Sequence, residues 1–107
     1  MLTYQEAKKL FTYRDGELYW AAPGIKRNIG MKAGHRDKTG YTRIMLNYRM
    51  YLAHRIIWLI HKGYWPREFI DHIDGNPGNN RIENLRDVDH STNLLNNKRK
   101  RNKGDVS

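Results

Sequence analysis

Phe69-Ile70-Asp71-His72-Ile73-Asp74-Gly75-Asn76-Pro77-Gly78-Asn79-Asn80-Arg81-Ile82-Glu83-Asn84-Leu85-Arg86-Asp87-Val88 is the stretch whose reading decides the fold. Phe69 to Ile73 reads as a strand, and Asp74 to Arg81 as a polar loop of the residues that turns require. Ile82 and Leu85 to Val88 form the returning segment. Asp89 can cap a last helix from about His90 to Arg99. A hairpin followed by a helix brings together the two ends of a polar series: Asp71, His72, Asp74, Asn76, Asn79, Asn80, Asn84, His90, Asn93, Asn96 and Asn97. Carboxylate and amide oxygens suit a hard divalent cation such as magnesium or manganese, whereas a structural zinc prefers Cys and several His.

Working outward, Ala53 to His61 carries Ile56, Ile57, Leu59 and Ile60 over a wide arc, with Gly63 where a left-handed C-terminal cap is wanted. This helix is expected to be the structural centre, with Trp65-Pro66 as its exit. Before it, Tyr41 to Leu46 and Arg49 to Leu52 look like two strands joined by a tight turn at Asn47-Tyr48, although Tyr is a less favourable turn residue than Gly. Pro23 to Gly40 is basic and glycine-rich without a core-facing period, and reads as a loop with at most one short strand. Asp15-Gly16 between Phe11-Thr12-Tyr13 and Leu18-Tyr19-Trp20 is the strongest hairpin signal in the chain. Thr3 and Glu6 fit a capping box at the front of a short helix over residues 4 to 11. No internal repeat is present.

The 107 residues suffice for one domain and are too few for two ordinary cores. Seven Tyr, three Trp and two Phe are expected to supply much of the buried area, as core rather than as base-stacking platforms. Twenty Lys and Arg against 11 Asp and Glu give a net charge of +9, so the first partner to consider is a nucleic acid, whose condensed counterions leave as phosphates are neutralised. The absence of cysteine excludes disulfides, thiol nucleophiles and Cys-ligated zinc. The apolar run Ile56 to Ile60 is too short to span a bilayer and the N-terminus lacks a signal-peptide core, so the expectation is a soluble cytoplasmic protein without a membrane partner.

Ile70-Asp71-His72-Ile73-Asp74-Gly75-Asn76, then Asn80-Arg81-Ile82-Glu83-Asn84-Leu85-Arg86, then Ser91-Thr92-Asn93 resembles the HNH motif of phage and intron-encoded homing endonucleases, the ββα-metal family. Tyr41 to Ile44 and Tyr51 to Trp58 also resemble the region that precedes the motif in small phage HNH proteins. The resemblance implies an α+β fold: a short N-terminal helix, β-hairpins and a central helix over residues 1–62, a ββα-metal nuclease core over 63–100, and a basic tail over 101–107, all in one domain. It implies a DNA endonuclease leaving 3′-hydroxyl and 5′-phosphate ends on double-stranded DNA. Asp71 would be a metal ligand, His72 the general base, Asn84 the residue holding the loop that orients the imidazole, Asn93 the second ligand and Asn97 a weaker ligand one helical turn on. With Asn in the last motif position, magnesium or manganese is favoured over zinc. The chemistry agrees: a cation on a nonbridging and the leaving oxygen stabilises developing charge, and a neutral His takes a proton from water near pH 7 better than a carboxylate on a cation would.

Plainer readings stand beside these. Asp74 and Asn76 are expected to be turn residues. A calcium loop is discounted, since its twelfth position needs Glu and falls on Ile82 or Leu85. His54 and His61 are expected to be structural histidines or helix-dipole partners. Arg55, Arg81 and Arg86 are phosphate clamps or surface ion-pair partners, while Lys26, Arg27, Lys98, Arg99, Lys100 and Arg101 form the basic loop and tail that would meet DNA. The rivals to an endonuclease are a DNA-binding module that keeps an inert HNH scaffold, and an RNA-binding protein supported by charge alone.

Overall fold

The computed structural model describes residues 2–24, 27–67 and 69–88. The expected last helix, Asn93, Asn97, Lys26 and the basic residues Lys98, Arg99, Lys100 and Arg101 lie outside the described residues.

Helix α1 spans Tyr4–Leu10, and its capping box is formed in both directions, Thr3 Oγ1 accepting from Glu6 N and Glu6 Oε1 from Thr3 N. Phe11, expected to close the helix, instead turns to extended backbone and starts β1 (Phe11–Arg14), which pairs with β2 (Glu17–Trp20) in the register Phe11↔Trp20. The pairing wins because it buries both aromatic rings, with centroids 4.8 Å apart. After the basic loop, β3 (His35–Arg36), β4 (Thr42–Leu46) and β5 (Arg49–Leu52) make a three-stranded antiparallel sheet. The tight turn expected at Asn47 and Tyr48 is formed, with φ of 51° and 62°, so the tyrosine adopts the left-handed conformation although Gly would take it more readily. The two-residue connection requires it, and the side chain stays fully in solvent.

Helix α2 (Ala53–Lys62) follows β5 directly and ends at Gly63, φ 87°, whose N–H donates to Leu59 O at 2.8 Å. Its Ile56 and Ile57 are wholly buried, each contributing about 1.5–3 kcal/mol of burial. They meet Leu18, Ile44, Leu46, Trp20 and Leu85 in one core that draws on all three sheets. The C-terminal ribbon is β6 (Phe69–His72) against β7 (Leu85–Val88), antiparallel with Asp71↔Arg86 and His72↔Leu85 opposite one another. A short 3₁₀ turn, Ile82–Asn84, precedes β7 and packs on α2. No helix among the described residues is long and apolar enough to cross a membrane.

The N-terminal hairpin touches the C-terminal loop at its tip. A Cβ on Gly16, φ +86°, would stand 2.9 Å from Arg81 N and 3.2 Å from Asn80 C, and the Tyr13 hydroxyl accepts from Ile82 N at 3.0 Å. Gly30 has a similar φ, +91°, with open space around it. Gly30→Ala should therefore cost about 1–2 kcal/mol from backbone strain alone. Gly16→Ala should cost measurably more in urea unfolding, and equal losses for the two would mean that the hairpin tip does not press on the loop.

Candidate active site

His72 closes β6, and strand alternation turns it inward toward α2 while Asp71 lies opposite Arg86 across the ribbon. The imidazole is 6% exposed. Its Nε2 lies 2.8 Å from Asn80 Oδ1. The His54 ring packs edge-on against it, centroids 4.9 Å apart, and Tyr41 closes the cluster at 6.1 Å from His72 and 5.7 Å from His54.

The loop from Ile73 to Arg81 is held by Asn84. The Asn84 amide donates to Asp74 Oδ1 at 3.0 Å and to Asn79 O at 2.9 Å, and its Oδ1 accepts from Asp74 N at 3.1 Å. Its backbone O accepts from Ile73 N at 2.8 Å. Asp74 and Asn76 serve as turn residues: Asp74 Oδ1 accepts from Asn76 N, and Asn76 Oδ1 from Gly78 N. With the Asn79 amide donating to it first, then Asn76 N and Asn84, the Asp74 carboxyl is held below the usual carboxylate range. From outside, Arg36 Nη2 reaches Gly78 O at 3.5 Å, and Gly40 abuts Pro77.

Asp71 is ion-paired with Arg86, so Arg86, read as a phosphate clamp or an ion-pair partner, is here the partner. Among the described residues no three His, Cys, Asp or Glu converge as a metal cluster. The implied second ligand lies beyond the described residues, and the donor chemistry, a carboxylate with amide oxygens, suits a hard divalent cation. Of the other basic candidates, Arg27 lies flat on Trp20 with its guanidinium carbon 4.1 Å from the ring centre, and Arg81 is exposed beside the loop. Arg55 joins Arg43 and Arg49 on a cleft of about 560 Å³ floored by Leu52, Trp65 and Pro66.

Three features escaped the sequence reading: the contact of His54 with His72, and the places of Asn80 and Tyr41 beside it. His61, expected to be structural, is so: its Nδ1 lies 2.9 Å from Ile57 O. His54, given the same expectation, instead touches His72, and its buried Nδ1 has no hydrogen-bond partner. Neither Asn80 nor Tyr41 had a spacing that set it apart; a buried Asn beside His72 is visible only once the loop is folded.

The hairpin's first strand ends in Asp-His, and its loop is pinned by an Asn from the return. Residues 51–95 match the family model described as HNH endonuclease. A solved structure of DNA binding and cleavage by the HNH homing endonuclease I-HmuI superimposes with a TM-score of 0.64 at 29% identity over 84% of this chain. The match covers 52% of that protein's chain, so this chain spans about half its length. No curated protein matches the sequence.

Burial, and then the positive charge that His72 and Arg55 would present, push the His54 imidazole down to about 3. An unfolded His titrates near 6.5, so below that pH the unfolded chain binds a proton that the folded chain refuses. Stability is therefore retained in full above about pH 6.5 and falls as pH drops toward the folded value. Urea unfolding between pH 7 and 5 should show this loss, with a slope that approaches about 1.4 kcal/mol per pH unit. Glu6, Asp37 and Asp74, all lowered, contribute only at more acid pH, as their ordinary values are 4.5 and 3.8. His54→Leu should flatten the slope, and an unchanged slope would place the titration in another group.

Proposed function

We propose that this chain hydrolyses phosphodiester bonds of double-stranded DNA, with His72 as general base and Asp71 as a ligand of a divalent metal, magnesium or manganese. The observation that carries this reading is the buried His72, its ring fixed through Asn80 and His54, directly following Asp71 at the end of a two-stranded ribbon. The family-model match over residues 51–95 and the likeness to a structure of DNA binding and cleavage support the substrate class.

In this reading the scissile phosphate lies across the end of β6, where both residues can reach it. His72 takes the proton of the attacking water, and Asn84 keeps the loop, and through it the imidazole, from moving as the water is deprotonated. Asp71, with Asn93 and Asn97, would hold a divalent ion, whose charge would offset the developing negative oxygens. Arg81, with the Arg43, Arg49 and Arg55 cleft, offers phosphate contacts on either side of that point, joined by Lys26, Arg27 and the basic run Lys98 to Arg101. Such contacts position a duplex without reading its sequence.

Purified protein incubated with supercoiled plasmid and magnesium or manganese should nick or linearise it, with chelator abolishing the activity. His72→Ala should lower kcat by about 10²–10⁴-fold, the usual contribution of a general base. Cleavage by the variant at the wild-type rate, or in chelator, would overturn the assignment; tight binding with no cleavage under any divalent cation would favour an inert DNA-binding module. Binding should weaken steeply with salt, by about 0.9 counterions per phosphate neutralised, and an affinity that is flat from low to moderate salt would remove the electrostatic part of the argument.

A further inference from the structure

We infer that Asn80 is a positioning residue that selects the tautomer of His72, holding the proton on Nε2 so that Nδ1 is the nitrogen that accepts a proton from water. The inference rests on the reading of His72 as general base and adds to it which nitrogen acts and what makes it so.

A neutral imidazole has one N–H and one lone pair, and the partner of one nitrogen decides the state of the other. In solution the two tautomers exchange freely, so an unguided histidine presents N–H to its substrate for part of the time, and in that form it cannot act as a base. Here the Asn80 side-chain oxygen sits 2.8 Å from Nε2, and both residues are buried, at 3% and 6% exposure. Water therefore has little access to substitute for either partner, and the amide oxygen, which has no proton to give, can be satisfied by Nε2 only if Nε2 carries the hydrogen. The opposite tautomer would set two acceptors against each other in a dry site. His54 cannot reverse the choice by charging, since it stands edge-on to the ring and is excluded from water.

Asn80 can do this only because its own backbone has no freedom. Its neighbour Asn79 is fastened on both sides, with its carbonyl accepting from the Asn84 amide and its side chain donating to Asp74 Oδ2 at 2.8 Å. The peptide between Asn80 and Arg81 is the surface on which Gly16 rests, at 3.2 Å from Asn80 C and 2.9 Å from Arg81 N for an added Cβ. One residue further on, Ile82 N is bonded to the Tyr13 hydroxyl. The N-terminal hairpin thus acts as the outer wall behind the amide that orients the base. An amide also serves better here than a carboxylate would, because it accepts the N–H without adding a negative charge that holds the imidazole as a cation.

The test has two arms. In the first, side-chain ¹⁵N resonances of His72 are recorded on the full-length protein at neutral pH without substrate or metal. The protonated nitrogen should be Nε2 in wild type, whereas Asn80→Leu, alike in branching but with no acceptor, should shift the ring toward a mixture of the two forms. In the second, Asn80→Leu should lower kcat for plasmid cleavage by about 10–100-fold, the scale on which loss of a ring-orienting partner acts, with KM nearly unchanged. Asn80→Asp, which keeps an acceptor at the same place, should keep the hydrogen on Nε2 while favouring the imidazolium, so that its cleavage recovers part of the loss only as the pH is raised. A wild-type ring protonated on Nδ1, or an Asn80→Leu variant that cleaves within twofold of wild type, would overturn the inference. Should Asn80→Leu fail to fold, the wild-type and Asn80→Asp spectra still decide it. Wild-type protein that cleaves no DNA defeats the nuclease reading instead, and the spectra then report on Asn80 alone.

Discussion

A polar loop that contributes almost nothing to the core has to be held in one shape, and the bonds of Asn84 are what hold it. Fixing the backbone of each residue costs about 1–2 kcal/mol, and Asp74 to Arg81 offsets little of that by apolar burial. Its order comes from hydrogen bonds made to one amide from the returning segment. Asn84 reaches Asp74 from both ends of its side chain and Asn79 through its second hydrogen, and its carbonyl receives Ile73 N. No other residue type of that size has a donor pair and an acceptor to offer at once. Remove those bonds and Asn80 loses its place, and His72 loses the partner that orients it.

The rest of the chain makes sense as support for that loop. α2 lies under the ribbon and contributes His54 to the side of His72, while its other face meets α1 and the sheet strands β4 and β5. The tip of the first hairpin, the end of the basic loop at Gly40 and the Arg36 guanidinium all touch the segment from Pro77 to Arg81. The family match begins at Tyr51, in the strand that leads into α2. The packing of His54 against His72 joins that helix to the ribbon.

How much of this could be read beforehand depended on whether the signal was local. The turn at Asp15-Gly16, the Thr3-Glu6 box and Gly63 at the end of α2 are local in origin, and each is found where the sequence put it. Asp71, His72 and Asn84 were singled out because their spacing resembles a known motif, and in the folded loop Asn84 bonds to Asp74 and Asn79. His54 and Tyr41 were not legible. A histidine on the first turn of a helix looks the same whether it faces solvent or another imidazole, and the answer lies in how α2 crosses β6, a long-range contact with no trace in residue spacing. Phe11 fitted both the helical period and the hairpin strand, and pairing with Trp20 decided for the strand.

Two carboxylates flank His72, and the hydrogen bonds distinguish them. Asp74 spends both oxygens on the loop, accepting from Asn76 N, the Asn84 amide and the Asn79 amide, so drawing it onto a cation would loosen the segment that carries Asn80. Asp71 has its ion pair with Arg86, a long side chain that is itself open to solvent. A pair with one arm in water contributes little to stability, and its arginine can turn to another anion with small loss. Recruiting Asp71 to a metal would cost that pair rather than the bonds that Asp74 makes to the loop. Recruiting Asp74 would gain a ligand and disorder the base.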